Sequence, residues 1–136
     1  MSAAEHRMPV RIYLEDTDAQ GIVYHANYLR YFERARSEII ELLGVPIRDV
    51  ASPDRRYVVY EMRIRFRQPA GLGDRLEVIS TMERTSEYRL TFQQRISRGT
   101  ETRPLVTAEV DVVCIDQSGK LAALPGTLDA RDARPL

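Results

Sequence analysis

The chain is poor in the residues that cross-linking and metal chemistry require. Cys114 is its one cysteine, so no intrachain disulfide can form. The opening "MSAAEHRMPV" carries Glu5, His6 and Arg7 where a secretory leader would have its apolar core, so the expectation is a reducing, cytoplasmic compartment. Two histidines, His6 and His25, are all that accompany the thiol, and no metal-ligand spacing can be written from so few donors; no metal is expected. Neither a G-x-S-x-G elbow nor a Walker loop is present. Charge of one sign is also missing. Twenty basic side chains balance twenty acidic ones, which removes the basic excess that phosphate-backbone binders rely on and argues against nucleic acid as a partner. No apolar run approaches the roughly 20 residues that span a bilayer, so no transmembrane segment is expected. At 136 residues there is material for one domain with a modest core. No linker, repeat or low-complexity block divides it. Residues 1–136 read as one unit, with 1–8 and 127–136 as frayed termini.

What is present alternates. "PVRIYLED" is extended and β-prone and ends in the acids. Tyr28, Phe32, Ala35, Ile39 and Leu42 then recur at helical steps, with Arg30, Glu33, Arg34, Arg36 and Glu38 at other positions, and "LGVP" stops the helix through Gly44 and Pro46. "RDVASPDRR" reads as a loop. The period next becomes two: Tyr60, Met62, Ile64 and Phe66 alternate with charged residues, among them Arg63, Arg65 and Arg67 on the solvent side. Strands through Leu76–Met82, Tyr88–Ile96 and Val106–Cys114 follow, and "QSGK" reads as a hairpin into a short edge segment ended by Pro125. One helix cannot cover both faces of five antiparallel strands. The expected fold is therefore α+β, a curled sheet wrapped around one long central helix, with an open edge suited to pairing with a second copy.

The stretch "EDTDAQGIVYHANY" concentrates the chemistry. If Asp18 leaves a strand and the helix begins near His25 or Ala26, Gly21 permits the tight turn between them. A helix start offers N–H groups without internal partners and about half a positive charge, which suits an oxygen gaining negative charge. A carboxylate beside it attacks a carbonyl or takes a proton from water. Acyl transfer is the reaction class that uses both.

"D-T-D-A-Q-G-I-V-Y-H-A-N-Y" followed by "YFERARSEII" resembles the signature of the 4-hydroxybenzoyl-CoA thioesterase family, of hotdog fold, and within it the YbgC-type acyl-CoA thioesterases associated with the Tol-Pal system. The likeness runs more loosely through "RFRQPAGLGDRLEV", "FQQRIS" and "AEVDVVCID". It implies hydrolysis of acyl-CoA, or of acyl carrier protein thioesters, with Asp18 as nucleophile or general base. Backbone N–H at or next to His25 would act as oxyanion donor, and the His25 side chain would orient water or help the thiolate leave. Gly21, Val23, Tyr24 and Tyr28 would line the substrate, with Arg84 and Ser86 at a strand end holding a phosphate of coenzyme A, which is part of the substrate rather than a cofactor. The family's habit of assembly implies a homodimer, paired again as a dimer of dimers. Gln20 departs from the pattern, standing where YbgC-type sequences often carry a second glycine.

Each residue also has a plainer role open to it. Asp16 and Asp18 are both suited to turns and caps. His25 is equally at home as a satisfied helix-start side chain, Tyr24 and Tyr28 as core, Arg84 as a solvated loop charge and Cys114 as a buried thiol. A Cys114, His25 and Asp18 triad can also be written. The alternative function is a non-catalytic hotdog module that binds acyl-CoA or serves as a scaffold linked to the cell envelope.

Overall fold

The two periodicities resolve into one sheet and one helix in a computed structural model that describes residues 4–99 and 101–128. The strands are β1 (His6–Arg11), β2 (Ala51–Ser52), β3 (Arg55–Phe66), β4 (Arg75–Arg84), β5 (Arg89–Arg98) and β6 (Val106–Ile115), and the helix is α1 (His25–Leu42). The sheet order is β1-β4-β5-β6-β3-β2, antiparallel at every step. Five long strands curl around α1 as expected. Phe32 and Ala35 of the helix and Val78, Leu90, Phe92, Ile96, Val106 and Val110 of the sheet are all fully buried in one cluster. Each large apolar side chain among them contributes about 1.5–3 kcal/mol by leaving water. Gly44, at φ +103°, ends α1 in the left-handed conformation foreseen for it.

Several local expectations are corrected. Leu42 is 55% exposed, whereas Tyr31, Arg36 and Ile40 join the buried side of α1, because a helix lying in a curled sheet is covered over more than one stripe. Arg36 is the least expected of these. It donates from Nη1 to Gln94 Oε1 (3.0 Å), and Gln94 Nε2 donates in turn to the Phe32 carbonyl and to Ser80 Oγ, each at 3.0 Å. A polar network therefore crosses from helix to sheet inside the core, and its partners offset the cost of burying each group. Tyr60 is 64% exposed and not on the inner face. The register of β3 against β6 shifts between Val59 and Glu61, so Tyr60 is the extra residue of a bulge and Tyr57 and Val59 take the inward phase before it. The "RDVASPDRR" stretch begins within a 3-10 turn at Ile47–Asp49, holds the two-residue strand β2 and ends in the first two residues of β3. The "QSGK" turn closes with Asp116 N–H on the Lys120 carbonyl (2.8 Å), but only the single bridge Ile115 to Leu121 follows it, not an edge strand.

The frayed N-terminus is corrected in part. His6 and Met8 are buried in β1, opposite Ser80 and Val78 of β4. At the other end Leu128 is fully buried; residues 1–3 and 129–136 lie outside the described residues. His6 Nε2 meets Glu38 Oε2 at 3.0 Å, yet burial outweighs that carboxylate and holds the imidazole below its ordinary value of 6.5. The unfolded chain therefore binds the proton more readily than the folded one. Stability from this group is complete above the ordinary histidine range and is lost as pH falls through it. The expected result is an unfolding midpoint that falls between about pH 8 and about pH 5, with a smaller fall in His6→Gln, measured by thermal melts across that range.

Candidate active site

The segment between β1 and α1 is organised by its two aspartates, which do different work. Asp16 closes the 3-10 turn at Leu14–Asp16 and has a partner on each of its three oxygens. Its Oδ1 accepts from the Tyr31 hydroxyl (2.7 Å) and its Oδ2 from the Tyr13 N–H (2.8 Å). Its carbonyl accepts from the Tyr24 N–H (3.0 Å) and from Asn27 Nδ2 (2.9 Å). Burial, reinforced by the Asp16 carboxylate, pushes the Tyr31 phenol far above its usual range, so it stays a donor. Asp16 thus fastens β1, the helix start and the first turns of α1 together.

Asp18 stands two residues on, in a tight loop. Its N–H donates to the Ile22 carbonyl (2.8 Å), its carbonyl accepts from the Gly21 N–H (3.0 Å), and Thr17 bridges Val23 just outside. Gly21, at φ +80°, makes the turn possible; a side chain there meets no neighbour but forces a left-handed backbone that L residues resist. Gln20 takes the turn without positive φ, so the position does not need a second glycine. The Gln20 N–H donates to Asp18 Oδ1 (2.8 Å). Among the described residues Oδ2 of Asp18 has no partner, and the side chain is half-buried.

The helix begins at His25, as expected. Tyr24 and Asn27 already spend their N–H groups, on the carbonyls of Asp16 and Tyr24. The N–H groups of His25 and Ala26 find no acceptor among the described residues, which is the usual state of a helix start and the source of its pull on anions. Ile22, the loop partner of Asp18, lies three residues before His25, at most about 10 Å of chain. A free carboxylate oxygen and free helix-start donors therefore belong to one short stretch of chain.

The other expected site residues divide. The His25 ring is exposed, 4.7 Å from the Tyr24 ring and edge-on to Phe66 at 5.9 Å. Tyr24 is 47% exposed next to it. Val23 and Tyr28 are buried: the Val23 N–H donates to the Ala70 carbonyl (2.9 Å) and the Tyr28 hydroxyl accepts from the Ala70 N–H (3.3 Å), so both tie the helix start to the β3–β4 loop as core residues. Arg84 and Ser86 are corrected. Arg84 is the last residue of β4 and Ser86 lies two residues beyond it, so Arg84 is nine residues or about 30 Å from the Arg75 end that borders this loop. The Arg84 guanidinium donates to the carbonyls of Pro125 (2.8 Å), Glu87 and Leu124 (3.3 Å each), and Ser86 Oγ accepts from the Tyr88 N–H (3.1 Å). Arg84 thus ties the β4–β5 turn to the segment after β6, and Ser86 serves the turn itself. The triad fails on the same measure: Phe66, beside His25, pairs with Val106, while Cys114 lies eight residues further along β6, about 26 Å away. Cys114 is fully buried, and burial raises its pKa.

Three contributors escaped the sequence reading: Tyr31 and Asn27, which hold Asp16, and Phe66, which backs His25. Helical spacing gives the signal for the first two, since Asn27 and Tyr31 are four residues apart on α1 and face the same acid. Among the described residues no cluster of three or more histidine, cysteine or acidic side chains is placed to hold a metal ion, and no helix is long and apolar enough to cross a membrane.

The chain is similar to known proteins over most of its length. The family model of the thioesterase-like superfamily matches residues 12–131. The acyl-CoA thioester hydrolase YbgC of Escherichia coli O6:H1 is 40% identical over 134 residues, covering 96% of this chain and 97% of that protein. Among solved structures, a probable thioesterase from Bartonella henselae superposes with a TM-score of 0.82 at 36% identity, covering 90% of this chain and 100% of the other. A 1,4-dihydroxy-2-naphthoyl-CoA thioesterase from Synechocystis gives 0.84 at 28% identity, over 91% and 92%. The chain belongs to the thioesterase-like superfamily and is a thioester hydrolase of hotdog fold.

Proposed function

We propose that this chain hydrolyses the thioester of an acyl-CoA to a free acid and a thiol at the opening between Asp18 and the start of α1. The observation that carries the reading is the division between the two acids: Asp16 has a partner on each of its three oxygens, whereas Asp18 keeps Oδ2 free beside unpartnered helix-start N–H groups. The thioester carbonyl oxygen accepts from the N–H groups of His25 and Ala26, and the helix dipole stabilises the negative charge it gains. Asp18 Oδ2 either adds to the carbonyl carbon, giving an anhydride that water then opens, or takes a proton from the attacking water. In both routes the thiolate departs and is protonated, and His25, at the mouth, orients water or supplies that proton. The scheme uses side chains and backbone alone, with coenzyme A as part of the substrate. A reducing, cytoplasmic setting suits the free thiol of Cys114.

The same reading includes a homodimer. Only Arg55 and Arg56 of β3 pair with β2, which leaves the outer edge from Tyr57 to Phe66 open among the described residues, with Val59 49% and Phe66 45% exposed along it. Pairing this edge with a second copy continues the sheet and closes the opening beside His25 and Phe66. Light scattering is expected to give at least twice the chain mass of 15.6 kDa, and it separates a dimer from a dimer of dimers.

Thiol release from a panel of acyl-CoA thioesters, short to long and aliphatic to aromatic, together with acyl carrier protein thioesters, tests the function. Release from at least one acyl-CoA is the expected result. Release only from the carrier protein moves the substrate, and saturable binding without release on any of them favours the binding-module alternative.

A further inference from the structure

The face of the sheet turned away from α1 carries a concavity of about 410 Å³ that the proposed reaction does not use. Four of the residues that line it are arginines. Strand register places Arg95 of β5, Thr107 of β6 and Arg65 of β3 side by side in one row, so Arg65 and Arg95 stand two strands, about 10 Å, apart with Thr107 between them. Arg63 and Arg67 lie two residues to either side of Arg65, about 7 Å each way along the chain. Four guanidinium-bearing positions therefore surround one threonine.

These charges are not neutralised as others on the molecule are. Arg7 meets Glu77 at 2.6 Å, Arg98 meets Asp74 at 3.1 Å, and Arg84 is held by three carbonyls. Arg95 reaches Glu5 at 3.2 Å. Among the described residues Arg63, Arg65 and Arg67 have neither an ion pair nor a hydrogen-bond acceptor. The one acid in the concavity, Glu109, accepts from Gln93 Nε2 (2.9 Å) and stands opposite Arg63 in the strand register without an ion pair between them, so one negative charge faces four positive ones. In a chain whose charges balance, three unpaired guanidinium groups set in a row around a hollow are a concentrated demand for anionic oxygen. The hollow lies within the size range of small-molecule sites, and spacings of about 7–10 Å suit separate phosphates on one molecule rather than a single one. Arg63 and Arg65 alternate along β3 with the core-facing Met62, Ile64 and Phe66, so their side chains point away from α1.

We propose that this concavity binds a nucleotide-sized, multiply phosphorylated small molecule, with Arg63, Arg65 and Arg67 as its phosphate ligands and Thr107 at the floor. Two sources supply that chemistry: the nucleotide end of a coenzyme A thioester, which rests on the proposed function, and a free nucleotide acting as an effector, which does not.

Titration calorimetry with adenosine 3′,5′-bisphosphate tests the proposal without reference to turnover. Saturable binding to the wild type is expected, weakened at least about tenfold in the Arg63→Ala/Arg65→Ala/Arg67→Ala variant, the scale of losing one charge-assisted contact, and unchanged in Arg7→Ala. Thermal melts of the same samples show that the variant is folded. Absence of saturable binding to the wild type, or binding indifferent to the three substitutions, overturns the site. Thiol release from acyl-CoA and from the matching acyl-pantetheine then separates the sources. A KM for acyl-CoA raised about tenfold in the variant, with kcat and the pantetheine reaction retained, assigns the site to the substrate's own nucleotide. An unchanged KM alongside lost binding of the bisphosphate assigns it to a free nucleotide. If the wild type releases no thiol from anything, the thioesterase reading falls while the calorimetric result still decides the site.

Discussion

Asp18→Asn is expected to lower kcat for thioester hydrolysis by about a hundredfold or more, the scale of losing a positioned acid, base or nucleophile, while leaving the unfolding midpoint in place. The two halves of that expectation have separate origins. An asparagine amide is nearly the shape of the carboxylate, and its oxygen still accepts from the Gln20 N–H, the single side-chain hydrogen bond that Asp18 makes among the described residues. The turn therefore survives. What the amide cannot do is add to a carbonyl or hold a proton taken from water. Because the helix-start donors of His25 and Ala26 are backbone groups, they are untouched, so residual turnover and near-normal KM are expected to remain. Steady-state thiol release beside a thermal melt reads both halves.

Asp16→Ala is expected to do the reverse, costing about 2–4 kcal/mol of stability and shifting the unfolding midpoint down by roughly ten degrees. Its carboxylate satisfies the Tyr31 hydroxyl, on a side chain 2% exposed, and the Tyr13 N–H. Removing both acceptors strands a buried phenol whose pKa shift already marks how strongly its surroundings resist charge. The abandoned phenol costs about 1–3 kcal/mol, and the Tyr13 N–H, at an exposed residue that water reaches, adds about 1 kcal/mol for the lost bond. Denaturant melts of Asp16→Ala and Tyr31→Phe separate the contributions: Tyr31→Phe removes the donor with its acceptor still solvated in part, and is expected to cost less. An Asp16→Ala protein as stable as the wild type contradicts the clamp.

Much of this division was legible in the residues, and the reasons for the remainder are physical. The helix start at His25, the glycine turn at Gly21 and the cap at Gly44 follow from local chain chemistry, and all three stand where the sequence places them. Which aspartate is free and which is spent depends on Tyr31, fifteen residues from Asp16: helical spacing puts Tyr31 on one face with Asn27, but it does not say which acid that face meets. Tyr60 was misassigned because a bulge breaks the alternation that period-two reading assumes. Arg36 looked like a surface charge, since its place on the helix does not reveal that Gln94 waits across the core to accept from it. Arg84 and Ser86 show the limit of carrying a strand-end residue toward a ligand without knowing which end of the sheet it occupies. Asp18 and the helix start share the opposite end, with Phe66, Ala70 and Gly71.

The central claim is that Asp16 holds the site and Asp18 reacts in it. The measurement that meets it most directly is thiol release and unfolding midpoint on the same preparations of wild type, Asp16→Asn and Asp18→Asn, with the best acyl-CoA of the panel. Two different signatures are expected: a lowered midpoint with turnover retained below it for Asp16→Asn, and an unchanged midpoint with kcat down about a hundredfold or more for Asp18→Asn. A folded Asp18→Asn protein that turns over like the wild type contradicts the claim.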